Sequence, residues 1–382
     1  MSTNADWANV PLSEAVDFLD SRRRPVKVGD RAKIRGDIPY YGASGIVDYV
    51  NDYIFDESLI LLGEDGENIL SRAVPLAFKI SGRSWVNNHA HVLRPRPEFD
   101  IDFLTQYLES LDYSTLNTGS AQPKLNKHSC SLIRVVKPPL VEQQRIARCL
   151  EDAEALIVSL ERLIAKKLAI KQGMMQQLLT GRTRLPGFVG EWEVAPFKEI
   201  ALPSPERLDP QTSGNGTLLI ELDDIEPGTG RLLRRETVEE AVSMKSVFRP
   251  GDVLFGKLRA YLRKFWLADS SGLCSTEIWV LRTQGHHSPK FIRYLVESDS
   301  FIEMASNAHG THMPRADWSL LSRFEIAIPP PDEQLAIANV LFDADLEIEV
   351  LQRRLDKARN IKTGMMQQLL TGRVRLPVDA GS

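Results

Sequence analysis

Eight residues from Gly251, GDVLFGKL, come close to the glycine and lysine pattern of a phosphate-binding loop. In such a loop glycines let backbone N–H groups cradle phosphates, the lysine neutralises them and a following Ser or Thr holds magnesium. Leu258 stands at that last position and no strand is read ahead of the first glycine, so nucleotide hydrolysis is the weakest of the functions weighed. His89 with His91, and His286 with His287, could ligate a metal, but no cysteine or carboxylate framework accompanies them in the sequence. Cys130, Cys149 and Cys274 are far apart, form no C-x-x-C and are expected to stay reduced. Neither a catalytic group nor a metal site is expected.

The chemistry that remains is charge. The net charge of −4 gives no overall basic signature, yet Arg22, Arg23, Arg24, Lys27, Arg31, Lys33 and Arg35 crowd one stretch and Lys257, Arg259, Arg263 and Lys264 another. Lysine and arginine neutralise phosphates, and arginine also forks onto guanine. Tyr40, Tyr41, Gly42 and Ser44 follow the first cluster and Tyr261 lies inside the second, so both read as DNA-binding segments, against the alternative of solvated charged loops. Ser120 with Lys124, and Thr311 with His312 and Arg315, sit in two loops that either contact DNA or turn the chain into the next strand.

The elements that must hold these clusters are written twice. GMMQQLLTGRTRLP from Gly173 recurs as GMMQQLLTGRVRLP from Gly364, fourteen residues with the single change of Thr183 to Val374. The same offset of 191 aligns Pro138-Pro139 with Pro329-Pro330, Glu142-Gln143 with Glu333-Gln334, and Gly119-Ser120 with Gly310-Thr311. Near the start the offset is 185, placing Trp7 on Trp192 and Glu14 on Glu199. The chain is a tandem duplication of a globular block of about 140 residues and a connector, a scale usual for single domains. DIPYYGASGIVDYV and PGDVLFGKLRAYLRKFW are read as having no counterpart in the other block.

Each connector is a helix with a coiled-coil seam. Ile146, Leu150, Ala153, Ile157, Leu160 and Ile164 alternate in steps of four and three, and Ile337, Leu341, Ala344, Ile348, Leu351 and Leu355 repeat the spacing. Prolines precede both helices, and Gly181 and Gly372 lie where a C-terminal glycine cap belongs. About 40 residues at ~1.5 Å each make a helix of ~60 Å, too narrowly striped to fold alone. An antiparallel return of the second along the first buries both seams. With FEIAI and LIRVV as strands, and FLTQYLESL and FIRYLVESDSFIEM as helices, the expected class is α+β: two α/β blocks separated by two long antiparallel coiled-coil helices, with an internal pseudo-twofold repeat. Met174, Met175, Gln176, Gln177 and Arg182, repeated as Met365, Met366, Gln367, Gln368 and Arg373, are expected to form two copies of one docking surface, against the alternative of helix-end packing.

Together these motifs resemble the specificity subunit of type I restriction-modification systems over almost the whole chain. The resemblance rests on Pro-Pro followed by Glu-Gln-x-x-Ile-Ala, on Leu-Leu-Thr-Gly-Arg at Leu178 to Arg182 and Leu369 to Arg373, and on the two recognition segments quoted above. It implies target recognition domains at 1–140 and 186–331, a conserved spacer helix at 141–185, and a second spacer helix with the C-terminal tail at 332–382. It implies further that each domain reads one half of a bipartite asymmetric site in double-stranded DNA, and that the helices set the spacer. Two copies of a DNA methyltransferase subunit dock, restriction/translocase subunits being the further candidates. The chain itself then needs no cofactor, S-adenosylmethionine, ATP and Mg belonging to the partner subunits; no Asn or Asp followed by Pro-Pro-Tyr or Pro-Pro-Phe occurs in it. A coiled-coil adaptor that binds only proteins is the alternative. No run approaches the ~18 apolar residues of a membrane helix, and the N-terminal residues show no export signal, so a cytoplasmic location is expected.

Overall fold

The computed structural model describes residues 7–119, 122–212, 216–237, 243–307 and 314–376. The chain divides into unit 1, residues 1–161 with 353–382, and unit 2, residues 162–352. Both mix helices and sheets.

In unit 1 the apolar run LILLG forms the strand Leu59–Gly63, buried along its whole length. A strand apolar at every position must be covered on both faces. Ile60 and Leu62 pack with Leu104 and Leu108 of the helix Ile101–Glu109, while Leu59 and Leu61 pack with Phe55, Val86 and Val92. The sheet order is Val16–Phe18, Ala90–Pro95, Leu59–Gly63, Ala77–Ile80. A second sheet runs Gly45–Val50, Arg35–Gly42, Arg83–Val86, Phe55–Asp56. Its hairpin turns at Ala43-Ser44, between paired Gly42 and Gly45, and Gly45 has a φ of +128° that disfavours a side chain.

Unit 2 follows the same logic. In the strand Val253–Gly256, Val253 and Phe255 face Phe291, Ile292 and Phe301, and Leu254 faces Phe248, Trp266 and Ile278 on the other side. Its sheet order is Ala201–Pro203, Ile278–Thr283, Val253–Gly256, Phe265–Leu267, beside a five-stranded sheet built around Gly272–Cys274. The helical stretch expected from Phe291 onward is broken at Ser298, whose Oγ accepts the Phe301 N–H and starts Asp299–Ser306 after Pro289–Glu297 has ended.

Two expectations are corrected here. A strand, Lys245–Phe248, does precede GDVLFGKL, and the segment runs into the strand Val253–Gly256 rather than into a helix, so no phosphate cradle forms. Nor is that segment without a counterpart. In unit 1 the residues after Gly63 pair with the Pro123-Lys124 loop through Asp65 and Lys124, and in unit 2 the residues after Gly256 pair with the Pro314-Arg315 loop through Leu258 and Arg315. The equivalence was hidden because unit 1 carries Glu64-Asp65-Gly66 where unit 2 carries Lys257-Leu258-Arg259.

Each unit is closed by a short antiparallel pair, Ala8–Pro11 with Arg134–Lys137 and Glu193–Pro196 with Glu325–Ile328. The registers Ala8↔Lys137 and Glu193↔Ile328 keep the offsets of 185 and 191. The long helices are Leu140–Leu178 and Pro331–Leu369. The seam residues named above are buried, save Ala153 and Ala344, which are half-buried. Within unit 1, ion pairs join Glu142 to Arg375, Glu154 to Lys362 and Glu161 to Arg359; within unit 2, Lys167 joins Glu347, Lys171 joins Asp345 and Arg184 joins Glu333. Rising numbers on one helix meet falling numbers on the other, so the paired segments of each unit run antiparallel.

The repeated Glu-Gln has a structural duty at the start of each helix. Gln143, fully buried, accepts the N–H of Asp100 and donates to the carbonyls of Glu98 and Pro138. Gln334, also fully buried, accepts the N–H of Ser288 and donates to the Pro329 carbonyl. Asp100 and Ser288 are the residues that cap Ile101–Glu109 and Pro289–Glu297, so one amide ties a long helix to a short one. Replacing Gln334 with Ala leaves a buried donor and a buried acceptor unmatched, and is expected to cost unit 2 about 1–3 kcal/mol per orphaned group. Urea unfolding of the full chain measures it; an unchanged midpoint would remove the amide from the account.

Candidate nucleic-acid interface and helix-end motifs

The first basic stretch is less free than its sequence suggests. The Arg23 guanidinium lies 2.6 Å from Glu64 and 2.8 Å from the Ala90 carbonyl, and its side chain is 15% exposed. Arg22 stacks over Phe55 and donates to the Ile54 carbonyl; Arg31 pairs with Asp48 at 2.9 Å and lies over Tyr40. Tyr40 is 1% exposed and its hydroxyl accepts the Val26 N–H, so it is a core ring and no DNA contact. Tyr41 is half-buried, which pushes its phenol pKa up. Lys33 pairs with Asp30 on the surface, and Arg24, Lys27, Arg35 and Ser44 are exposed, Ser44 at the hairpin turn. Lys124 reaches Glu64 at 3.3 Å. Ser120, Thr311 and His312 lie outside the described residues.

The second stretch divides in the same way. Lys264 is buried, donating to the Leu222 carbonyl at 2.9 Å and meeting Asp223 at 3.3 Å. Arg263 pairs with Asp299 and donates to the Glu297 carbonyl; Arg315 forks onto Glu277 at 2.8 and 3.2 Å, which holds that carboxyl below its usual range. Lys257 is half-buried, whereas Arg259 is exposed and Tyr261 is 54% exposed.

The expectation that the His89 and His91 pair lacks carboxylates fails. The groups come from distant sequence: His89 meets Asp65 at 2.9 Å, and buried His91 meets Asp20 at 2.8 Å and the Leu125 carbonyl at 2.9 Å. Even so, among the described residues no group of three or more His, Cys, Asp or Glu is arranged to hold a metal. No helix among them is long and apolar enough to cross a membrane, and all three cysteines are free thiols.

Residues 4–171 match the family model described as the type I restriction modification DNA specificity domain. Over 154 residues, 40% of this chain and 38% of the relative, the chain is 32% identical to a putative type I restriction enzyme specificity subunit of Haemophilus influenzae. The match to the type I restriction enzyme EcoDI specificity subunit of Escherichia coli is 22% identical but spans 96% of this chain and 87% of that one. The crystal structure of the S subunit of a type I restriction-modification system from M. genitalium aligns over 97% of both chains, with a TM-score of 0.62 at 13% identity. Over nearly its whole length the chain is thus similar to type I restriction enzyme specificity subunits, and residues 4–171 carry the match to their DNA specificity domain.

The fourteen-residue repeat divides into a packed and an exposed set. Met175 is buried in unit 2, with Met174 half-buried against it, and Met365 and Met366 pack with Ile146 and Leu150 in unit 1. Gln176, Gln177, Arg182, Gln367, Gln368 and Arg373 are exposed. Arg184, repeated as Arg375, is a lock: it grips Glu333 at 2.6 Å through two nitrogens and lies over Trp192, as Arg375 grips Glu142 and lies over Trp7. Sequence reading passed over Leu156, Leu163 and Ile170, which are 47, 39 and 44% exposed at seven-residue steps on the first long helix. Their signal was a second heptad stripe beside the seam.

Burial alone would pull the His91 pKa down, but the Asp20 carboxylate and the Cys130 sulfur push it to about 10. A folded-state pKa raised above the ordinary 6.5 gives stability that is full below 6.5 and is lost as pH rises towards 10. The gap in melting temperature between the native chain and His91→Gln should therefore narrow between about pH 6.5 and 10. A gap independent of pH would show that His91 is neutral in the fold.

Proposed function

We propose that each unit reads one half of a bipartite, asymmetric site in double-stranded DNA. The recognition domains are residues 1–140 and 186–331; the spacer helices, 141–185 and 332–382 with its tail, form an antiparallel coiled coil about a pseudo-twofold axis and set the distance between half-sites. One observation carries this reading: both units keep the same closing strand pair, buried glutamine and arginine lock, while the segments after Gly63 and Gly256 differ in sequence and in charge. Constant frames with different surfaces suit two different half-sites. Two copies of a methyltransferase subunit dock on Gln176, Gln177 and Arg182 and on Gln367, Gln368 and Arg373, with restriction/translocase subunits joining the assembly. S-adenosylmethionine, ATP and Mg then serve the partners, in the cytoplasm where the host DNA lies.

Among the described residues Arg24, Lys27 and Arg35 are exposed and carry no hydrogen bond to an acid, which makes them the cations of the first stretch best placed to meet phosphates. Their joint replacement with Ala should weaken DNA binding by the complex and flatten its salt dependence by up to ~0.9 log units per lost phosphate contact, whereas an unchanged slope would assign them to solvent.

The spacer function has its own test. Leu160 and Leu351 lie beside the points where the chain passes from one unit to the other, after Glu161 and after Gln352. Four residues inserted at both places add ~6 Å of helix. The methylated motif in cells carrying the variant should keep both half-sites and gain one or two base pairs of spacer, at ~3.4 Å per pair. Changed half-site bases over an unchanged spacer would sink the ruler.

A further inference from the structure

We infer that Arg259 and Tyr261 are the base-reading residues of unit 2, with the Arg259 guanidinium forked onto a guanine in the major groove. This rests on the DNA-reading function proposed above. Three residues other than glycine have positive φ among those described, Arg72, Arg259 and Arg263, and two of them bracket the single turn Ala260–Leu262. A bulky L residue at φ of 54° or 53° persists only where its surroundings over-determine it.

They do so here. The Arg259 N–H donates to the Pro314 carbonyl at 2.8 Å, the Leu262 N–H to Arg259 at 2.8 Å, and the Gly228 N–H to Arg263 at 2.9 Å. Ala260, in the middle of the turn, is 3% exposed and anchored in the core of the unit. Three neighbouring cations are engaged within the protein: Arg263 by Asp299, Lys264 by Leu222 and Asp223, Arg315 by Glu277, while Lys257 is half-buried. Exposed Arg259 and Tyr261 are left projecting from a fixed backbone, and neither side chain makes a hydrogen bond or ion pair among the described residues.

Rigidity decides between base and phosphate. A phosphate is met well by a flexible cation, whereas a guanine edge presents two acceptors in fixed positions and requires an oriented guanidinium plane. A turn held in a disfavoured conformation by three elements fixes the Cα from which Arg259 projects and so narrows where its guanidinium can reach, a constraint that a base edge needs and a phosphate does not. The equivalent place in unit 1, Glu64-Asp65-Gly66, is acidic, and Glu64 takes Arg23 and Lys124. The device is thus confined to one half of the site.

The experiment uses the full chain with its partner methyltransferase. The methylome of cells carrying the native pair gives the site, and duplexes with that site and its single-base variants are the probes. Arg259→Lys keeps the charge and loses the fork; it should preserve the salt slope while discrimination at one guanine of one half-site falls about 10- to 100-fold. Arg259→Gly, which accepts the positive φ, should relax the same position without lowering the unfolding midpoint, and Tyr261→Ala should relax a neighbouring position. Uniform weakening on all duplexes with a slope reduced by ~0.9 in Arg259→Gly would make Arg259 a phosphate contact and overturn the inference, as would unaltered discrimination in both Arg259 variants. A native complex without sequence preference would instead overturn the DNA-reading function itself.

Discussion

The Glu333 carboxylate is wholly withdrawn from solvent, three residues into a 39-residue helix, and is answered by two Arg184 nitrogens at 2.6 Å and by the Trp192 indole N–H at 3.1 Å. A buried carboxylate without such partners would be strongly destabilising, so the position of each partner is fixed by it. Arg184 reaches back only because the chain reverses at Gly181, whose φ is +70° and where a Cβ would lie 3.3 Å from the Trp192 ring, leaving little room for a side chain. The helix N-terminus adds a favourable field for the negative charge. One ion pair thus determines where the second helix begins, where the first ends and where the strand after Trp192 enters its sheet. In unit 1 Glu142, Arg375, Gly372 and Trp7 repeat the ion pair, the chain reversal and the stacking, but without the indole hydrogen bond.

A protein of net charge −4 meets a polyanion by partition of its charges and not by their sum. Carboxylates such as Glu64, Asp48, Asp299 and Glu277 take up guanidinium groups and hold segments together. Exposed cations such as Arg24, Lys27 and Arg35 on one segment and Arg259 on another are not engaged in this way among the described residues, and ~10 Å of screening length in salt lets them act locally while distant acids are not felt. Counting basic residues in a stretch overstates its affinity for phosphate, because each arginine that braces the fold is withdrawn from the surface.

The parts of the fold legible in sequence were those with a period or a copy. The steps of four and three through Ile146 to Ile164 marked the helix, and the repeat marked the places where Gln143, Gln334, Arg184 and Arg375 would be found. Their task was not legible, since Arg184 meets Glu333 across 149 residues and no local pattern encodes such a pairing. The same distance hid the carboxylate partners of His89 and His91. Tyr40 looked like a reading residue because an aromatic after a basic run is ambiguous; the strand pairing that turns it inward to Trp85 is non-local. The equivalence of the segments after Gly63 and Gly256 was visible only in the bridges to Lys124 and Arg315, because their charges are reversed.

Unit 1 is assembled from two stretches of chain separated by the whole of unit 2. Trp7, Phe103, Ile146 and Leu150 share a cluster with Met365, Met366, Leu369 and Leu370, the last of which leave the ribosome more than two hundred residues after Leu150. At ~5–20 residues per second, that face stays uncovered for roughly ten seconds or more of synthesis while unit 2, continuous in sequence, can already close. The order of birth of the two halves is thus opposite to their order of completion, and the first to emerge is the longer exposed to chaperones and to aggregation.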